Sequence, residues 1–287
     1  MRFAHIQLPA SPEPTLCVID EDDAIILSEL FPGAPSDLNR LIEGGDDALA
    51  RIREALPGAD RFPWAGQDFA SAVQRPPVIL AIGLNYAAHA GELGLKADAA
   101  PTVFTLWPNS LTGHHNTTSW PRELSENVDY EAELGVIVGR TAKNVSEEEA
   151  LGHVWGYTVV NDITARNIQF SEAQWCRCKS FDGFTPTGPF LVTADEIADP
   201  QDLHIWTIVD GHMVQDGSTG QMIRPVSKLV SHLSSSVTLL PGTLISTGSP
   251  GGAGYSRDPQ IFLRDRSTVT VGIDGIGELV THCRIHD

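Results

Sequence analysis

The stretch VDYEAELGVIVG, residues 128–139, joins an acidic start to an apolar end. From Leu134 onward it reads as a buried β-strand, a short apolar run without alternation. Yet the run is entered through Asp129, Glu131 and Glu133. Side chains in a strand alternate between faces, so Glu131 and Glu133 project from the same side. Two carboxylates so placed repel each other and raise each other's pKa unless a cation lies between them. A solvated strand end would carry the same residues at no cost, so this stretch alone leaves both readings open.

Working outward, YTVVNDIT (157–164) is a second apolar strand, and it ends on Asp162. Between the two strands, SEEEALGHVWGY carries a capping box, with Ser146 as N-cap and Glu149 three residues on. If the strands lie side by side, Asp162 converges on Glu131 and Glu133. Three oxygen ligands without Cys or His suit a hard divalent cation, Mg²⁺ or Mn²⁺.

The rest of the chain bounds this idea. Its 287 residues hold one large domain or a large one with a small partner. A net charge of −18 argues against nucleic acid and against anionic membrane surfaces as partners. Anionic substrates would then need a local positive centre. Cys17, Cys176, Cys178 and Cys283 form neither a disulfide framework nor a CxxC pair, and read as free thiols. The N-terminus lacks a signal-peptide layout, and no apolar run reaches the ~20 residues of a membrane span. A soluble cytoplasmic protein is expected.

Residues 1–70 read as a small N-terminal α/β unit. Short strands in MRFAHIQL, TLCVI and AIILSEL precede a helix over residues 46–56. A Pro-bounded linker follows, and a second unit runs over residues 76–287. There VILAI, HIWTIV–DG–HMVQD and STVTVGI–DG–IGELVTHCRI are strands, the last two pairs hairpins at Asp-Gly turns. Strands outnumber helices, so the expected class is mostly β with some α (α+β).

From about residue 76 to its end the chain resembles the fumarylacetoacetate hydrolase family. GLNYAAHAGELG, DYEAELGVIVG, GYTVVNDITARNIQ, KSFDGFTPTGPFLVT and STGSPGGAG stand in that family's order and spacing. The resemblance implies a mixed β-sandwich or β-roll, usually a homodimer, with a small N-terminal domain. It implies a metal held by Glu131, Glu133 and Asp162, and chemistry on small 2-oxo or 1,3-dicarbonyl acids. Lys179 matches a lysine near the metal that stabilises developing oxyanion charge. Arg166 and Gln169 match positions lining the site, although Arg166 suits a structural ion pair equally well. Thr247 matches a hydroxyl that contacts a substrate carboxylate. His89 and Glu92 lie in the family's lid segment; three residues apart on a helical turn they share a face, as a general base and its orienting acid.

The pattern also has departures. Many relatives carry Arg where Leu84 stands, Asp where Ala88 stands and Lys where Leu106 stands. The metal core looks intact while the substrate-facing periphery differs. The expectation is a Mg²⁺- or Mn²⁺-dependent hydrolase cleaving a carbon–carbon bond in an acylpyruvate-type acid. Decarboxylation, isomerisation or dehydration on the same scaffold, and an inactive metal-stabilised binding protein, are its rivals.

Overall fold

The computed structural model describes residues 1–9, 11–92 and 100–287, without the side chains of residues 89, 90 and 92. Its larger strands, in chain order, are β1 (Arg2–Gln7), β2 (Thr15–Asp20), β3 (Asp23–Ile26), β4 (Ile79–Gly83), β5 (Thr102–Leu106), β6 (Thr117–Pro121) and β7 (Ala132–Val138). They continue as β8 (Val154–Asn161), β9 (Thr185–Thr193), β10 (His204–Val209), β11 (His212–Ser218), β12 (Leu244–Ser246), β13 (Thr268–Ile273) and β14 (Gly277–His286). The helices that matter are α1 (Leu38–Ala55), α2 (Ala87–Glu92), α3 (Arg166–Ser171) and α4 (Val226–Ser236).

Two sheets face each other. The larger runs β3-β2-β1-β9-β8-β7-β12-β4-β5, and the smaller β11-β10-β13-β14-β6. Strands β9 and β8 pack against β14, and β7 against β10. This is an α+β fold of mixed sheets. Every residue of β7 is buried, because β8 and β12 flank it and the second sheet covers it. That double coverage is why its sequence from Leu134 on is an unbroken apolar run.

The N-terminal segment is joined to the rest by the sheet itself. Strand β1 pairs with β9 through Arg2 and Val192, so the sheet crosses the boundary expected near residues 70–76. What sets this segment apart is a second apolar cluster under α1, where Leu41, Ile42 and Ile52 pack with Phe3, Trp155 and Leu191. Helix α1 starts well before residue 46. Asp37 caps it by accepting from the Arg40 N–H, and it kinks at Gly45, where φ is +54°. The expected linker carries the buried Phe69, which pairs with β1 at Ile6. All four cysteines are free. No described helix is long and apolar enough to cross a membrane.

Candidate metal centre

Antiparallel pairing of β7 with β8 sets Ala132 opposite Asn161. The acidic entry of one strand therefore meets the acidic exit of the other, and the Asp162 N–H donates to the Glu131 carbonyl at 2.9 Å. Oxygens of Glu131, Glu133 and Asp162 lie within 4.8 Å of one another, all three residues buried. The strand end is not solvated.

Two cations share the space. Lys179 Nζ lies 2.7 Å from Glu131 Oε2, 2.6 Å from Asp162 Oδ2 and 2.8 Å from Thr164 Oγ1. Arg166 donates to Asp129 and to Glu131, each at 2.7 Å, and to Gln169 Oε1 at 2.9 Å. Lys179 is 2 % exposed and Arg166 1 %. Burial alone would lower the Lys179 pKa, but the Asp162 and Glu131 carboxylates more than reverse that and keep it charged. Arg166 is held charged in the same way, mainly by Asp129.

Acids outnumber bases here. Among the described residues, Asp129, Glu131, Glu133 and Asp162 supply four carboxyl groups against the two cations Arg166 and Lys179. The pKa values respond. Burial, reinforced by the Asp162 and Glu131 charges, raises Glu133 to about 8. Burial raises Asp162 to about 6 against the pull of Lys179. Asp162 Oδ1 is buried and finds no hydrogen-bond donor among the described residues. An all-oxygen donor set, an Asp162 oxygen with no donor among the described residues and an excess of carboxyl groups over cations fit a hard divalent cation. Glu131, Glu133 and Asp162 would hold it.

The loop after β12 completes the wall. Ser246 Oγ and the Gly248 N–H both donate to Glu133 Oε2, the latter at 2.9 Å. Gly248 needs to be glycine, because its φ is +95° and a Cβ would lie 2.8 Å from Asn85 Cβ. Gln215, 1 % exposed, braces the far side: it accepts from Ala132 N–H and donates to Ser249 Oγ and to the Pro250 carbonyl. Asn85 pins the chain before α2 by donating to the Thr247 and Arg224 carbonyls.

Of the expected site residues, the structure brings together Glu131, Glu133, Asp162, Lys179 and Gln169 around one small cavity. Arg166 stands behind Glu131 as a buried ion-pair partner. Thr247 is fully buried and donates to the Leu134 carbonyl at 2.8 Å; the hydroxyl that lines the cavity is that of Ser249. His89 and Glu92 fall on α2, and their side chains lie outside the described residues. Asp129, Ser246, Gly248, Gln215 and Ser249 were not among the expected residues. Asp129 carried a signal, as the third acid of the opening stretch; Gln215 carried none, since it arrives from the other sheet.

Stability should report the buried charge. Because the folded-state pKa of Glu133 is raised from 4.5 to about 8, the native chain holds a proton that the unfolded chain has lost. Metal-free stability therefore falls as pH rises through that window. His5 and His114, lowered by burial to about 4, act only below their ordinary 6.5, and Asp162 titrates near 6. Between pH 6.5 and 8 the metal-free Tm should decline, and saturating Mg²⁺ or Mn²⁺ should remove the decline by binding the ionised carboxylates. A metal-free Tm that is flat over this window would contradict a proton held on buried Glu133.

The comparisons with known proteins agree with this geometry. The model of the fumarylacetoacetate (FAA) hydrolase C-terminal family matches residues 78–284. A chain of Burkholderia ambifaria, provisionally named a hydrolase, is 42 % identical over 241 residues, which cover 83 % of this chain and 85 % of that one. Fumarylacetoacetate hydrolase from Exiguobacterium antarcticum superposes with a TM-score of 0.88 at 30 % identity, covering 100 % of both chains. Maleylpyruvate hydrolase from Sphingobium, solved in complex with manganese(II) ion and pyruvate, gives 0.85 at 26 % identity, again over 100 % of both chains. A 2-hydroxyhepta-2,4-diene-1,7-dioate isomerase from Mycobacterium marinum gives 0.77 at 29 %, covering 99 % and 98 %.

Proposed function

The chain belongs to the fumarylacetoacetate hydrolase family, and from that premise we propose that it is a Mg²⁺- or Mn²⁺-dependent hydrolase cleaving a carbon–carbon bond in an acylpyruvate-type acid. The observation that carries the reading is the buried convergence of Glu131, Glu133 and Asp162 oxygens within 4.8 Å of one another, with Asp162 Oδ1 finding no donor among the described residues. When bound there, a divalent ion supplies Lewis-acid stabilisation of charge developing on a 2-oxo acid's oxygens.

The chain's own residues do the rest. His89, oriented by Glu92, takes a proton from water as the water adds to the acyl carbonyl. The bond between acyl carbon and C3 then breaks, its electron pair passes into a pyruvate enolate, and C3 takes up a proton. Lys179 faces that charge with an ammonium kept protonated by its neighbours. Gln169 and Ser249 line the same cavity and orient the acid. Products are pyruvate and the carboxylic acid of the acyl group.

The likeness to an isomerase favours one second reading, in which the same proton transfers shift a double bond without water adding. An activity screen of metal-loaded protein separates them: acylpyruvates should release pyruvate, whereas 2-hydroxydienoates consumed with no pyruvate formed would establish the isomerase. The protein is also proposed to be a homodimer burying more than ~1,200 Å². Sedimentation at micromolar concentration should give twice the 31.0 kDa chain mass, and a monomer would refute the assembly.

A further inference from the structure

The cavity at the metal centre has two unlike walls. One is the polar floor of Glu131, Glu133, Asp162, Gln169, Lys179 and Ser249. The other is Ile82, Leu84, Phe104 and Trp175. Phe104 and Trp175 meet edge to face, with ring centroids 5.5 Å apart. Lys179 Nζ lies 5.6 Å from the Phe104 ring centre, so the aromatic wall starts where the polar floor ends. Leu84 is held at φ +60°, a conformation rare for a residue with a Cβ, where the chain turns out of β4 beside the cavity. Trp175 stacks over Gly83, at which a Cβ would meet the indole at 2.4 Å. Leu84 and Trp175 are both half-buried, at the outer end of this wall.

An acylpyruvate seated on the floor by its carboxylate and 2-oxo oxygens has to run its acyl group along the other wall. A second carboxylate at that end would need a cation. Among the described residues that line the cavity the one cation is Lys179, and it and Arg166 behind it are committed to the floor's own carboxylates. A carboxylate placed against Leu84 and Trp175 would lose its hydration and gain no partner from the described lining residues. An alkyl or aryl group there removes apolar surface from water instead. We propose that this wall is the acyl subsite and that it selects monocarboxylic substrates with an alkyl or aryl acyl group over dicarboxylic ones, with Leu84 and Trp175 as the specificity-determining residues.

The proposal rests on the 2-oxo acid reading above, and binding tests it apart from turnover. The full chain, loaded with Mn²⁺, is titrated calorimetrically with phenylpyruvate and 4-methyl-2-oxopentanoate, and with 2-oxoglutarate and 2-oxoadipate. Pyruvate, which has no tail, serves as the reference. The two apolar acids should bind at least roughly tenfold more tightly than the two diacids, the effect of a few buried methylenes. Trp175→Ala should cut that preference several-fold and Trp175→Phe should restore most of it, with Tm showing that each variant folds. Leu84→Arg should move the preference towards the diacids. Equal or tighter binding of diacids by the unaltered chain overturns the subsite, as does a preference that neither Trp175→Ala nor Leu84→Arg changes. The expected preference without acylpyruvate cleavage supports the subsite and overturns the hydrolase assignment. Binding of none of the five acids overturns both.

Discussion

Asp162→Asn should abolish the stabilisation that Mg²⁺ or Mn²⁺ confers and lower turnover roughly 10³-fold, the several kcal/mol that a Lewis acid supplies. Of the three proposed ligands, Asp162 is the cleanest to change. It is 1 % exposed, its Oδ2 meets Lys179, and its Oδ1 has no donor among the described residues. The amide keeps the shape and removes a charge that burial disfavours, since the Asp162 pKa is raised to about 6. Metal-free stability should therefore hold or rise, while the metal-dependent gain, about 2.7 kcal/mol at a hundred times Kd, disappears. Glu131 is a poorer choice because it binds both Arg166 and Lys179. Breaking that buried network costs about 3–5 kcal/mol and would confuse folding with metal loss. An unchanged metal-induced rise in Tm in the Asp162→Asn variant would place the metal elsewhere.

His89→Ala should reduce carbon–carbon hydrolysis by roughly 10²–10⁴-fold, the usual contribution of a general base. The argument is one of position. Helix α2 begins three residues after Leu84 of the cavity wall, and Asn85, in between, is tied to the Thr247 and Arg224 carbonyls. His89 thus lies on a short helix whose root is fixed beside the metal centre. The three carboxylates are untouched, so the metal-dependent rise in Tm should match that of the unaltered chain. Exchange of the C3 protons of a 2-oxo acid for solvent deuterium should persist, because Lys179 and the metal still stabilise the enolate. Full hydrolysis by His89→Ala would remove the water-activation role and favour an isomerase or decarboxylase.

What could be read from the chain alone followed from local rules. The apolar run of β7 from Leu134 on, the Asp-Gly hairpins β10–β11 and β13–β14, and the free cysteines all show in residue order. The acids at 131 and 133 could be placed on one face by strand alternation. Helix α1 begins at Leu38, ahead of the expected residue 46, and continues across Gly44 and Gly45 because Leu41 and Ile42 find the apolar cluster beneath. Packing there outweighed propensity.

The tertiary structure decided everything that needed a partner distant in sequence. Strand order alone put Asp162 beside Glu131, because β7 and β8 pair antiparallel and not through an intervening strand. It also tied Lys179 and Arg166 to the same carboxylates, which turned a run of acids into a buried site where carboxyl groups outnumber cations among the described residues. Gln215 reaches that site from the facing sheet, and β1 extends the sheet across the expected boundary. Residue order carries identity and periodicity, but charge balance in a buried site is a sum over neighbours, and only the packed chain sets who the neighbours are.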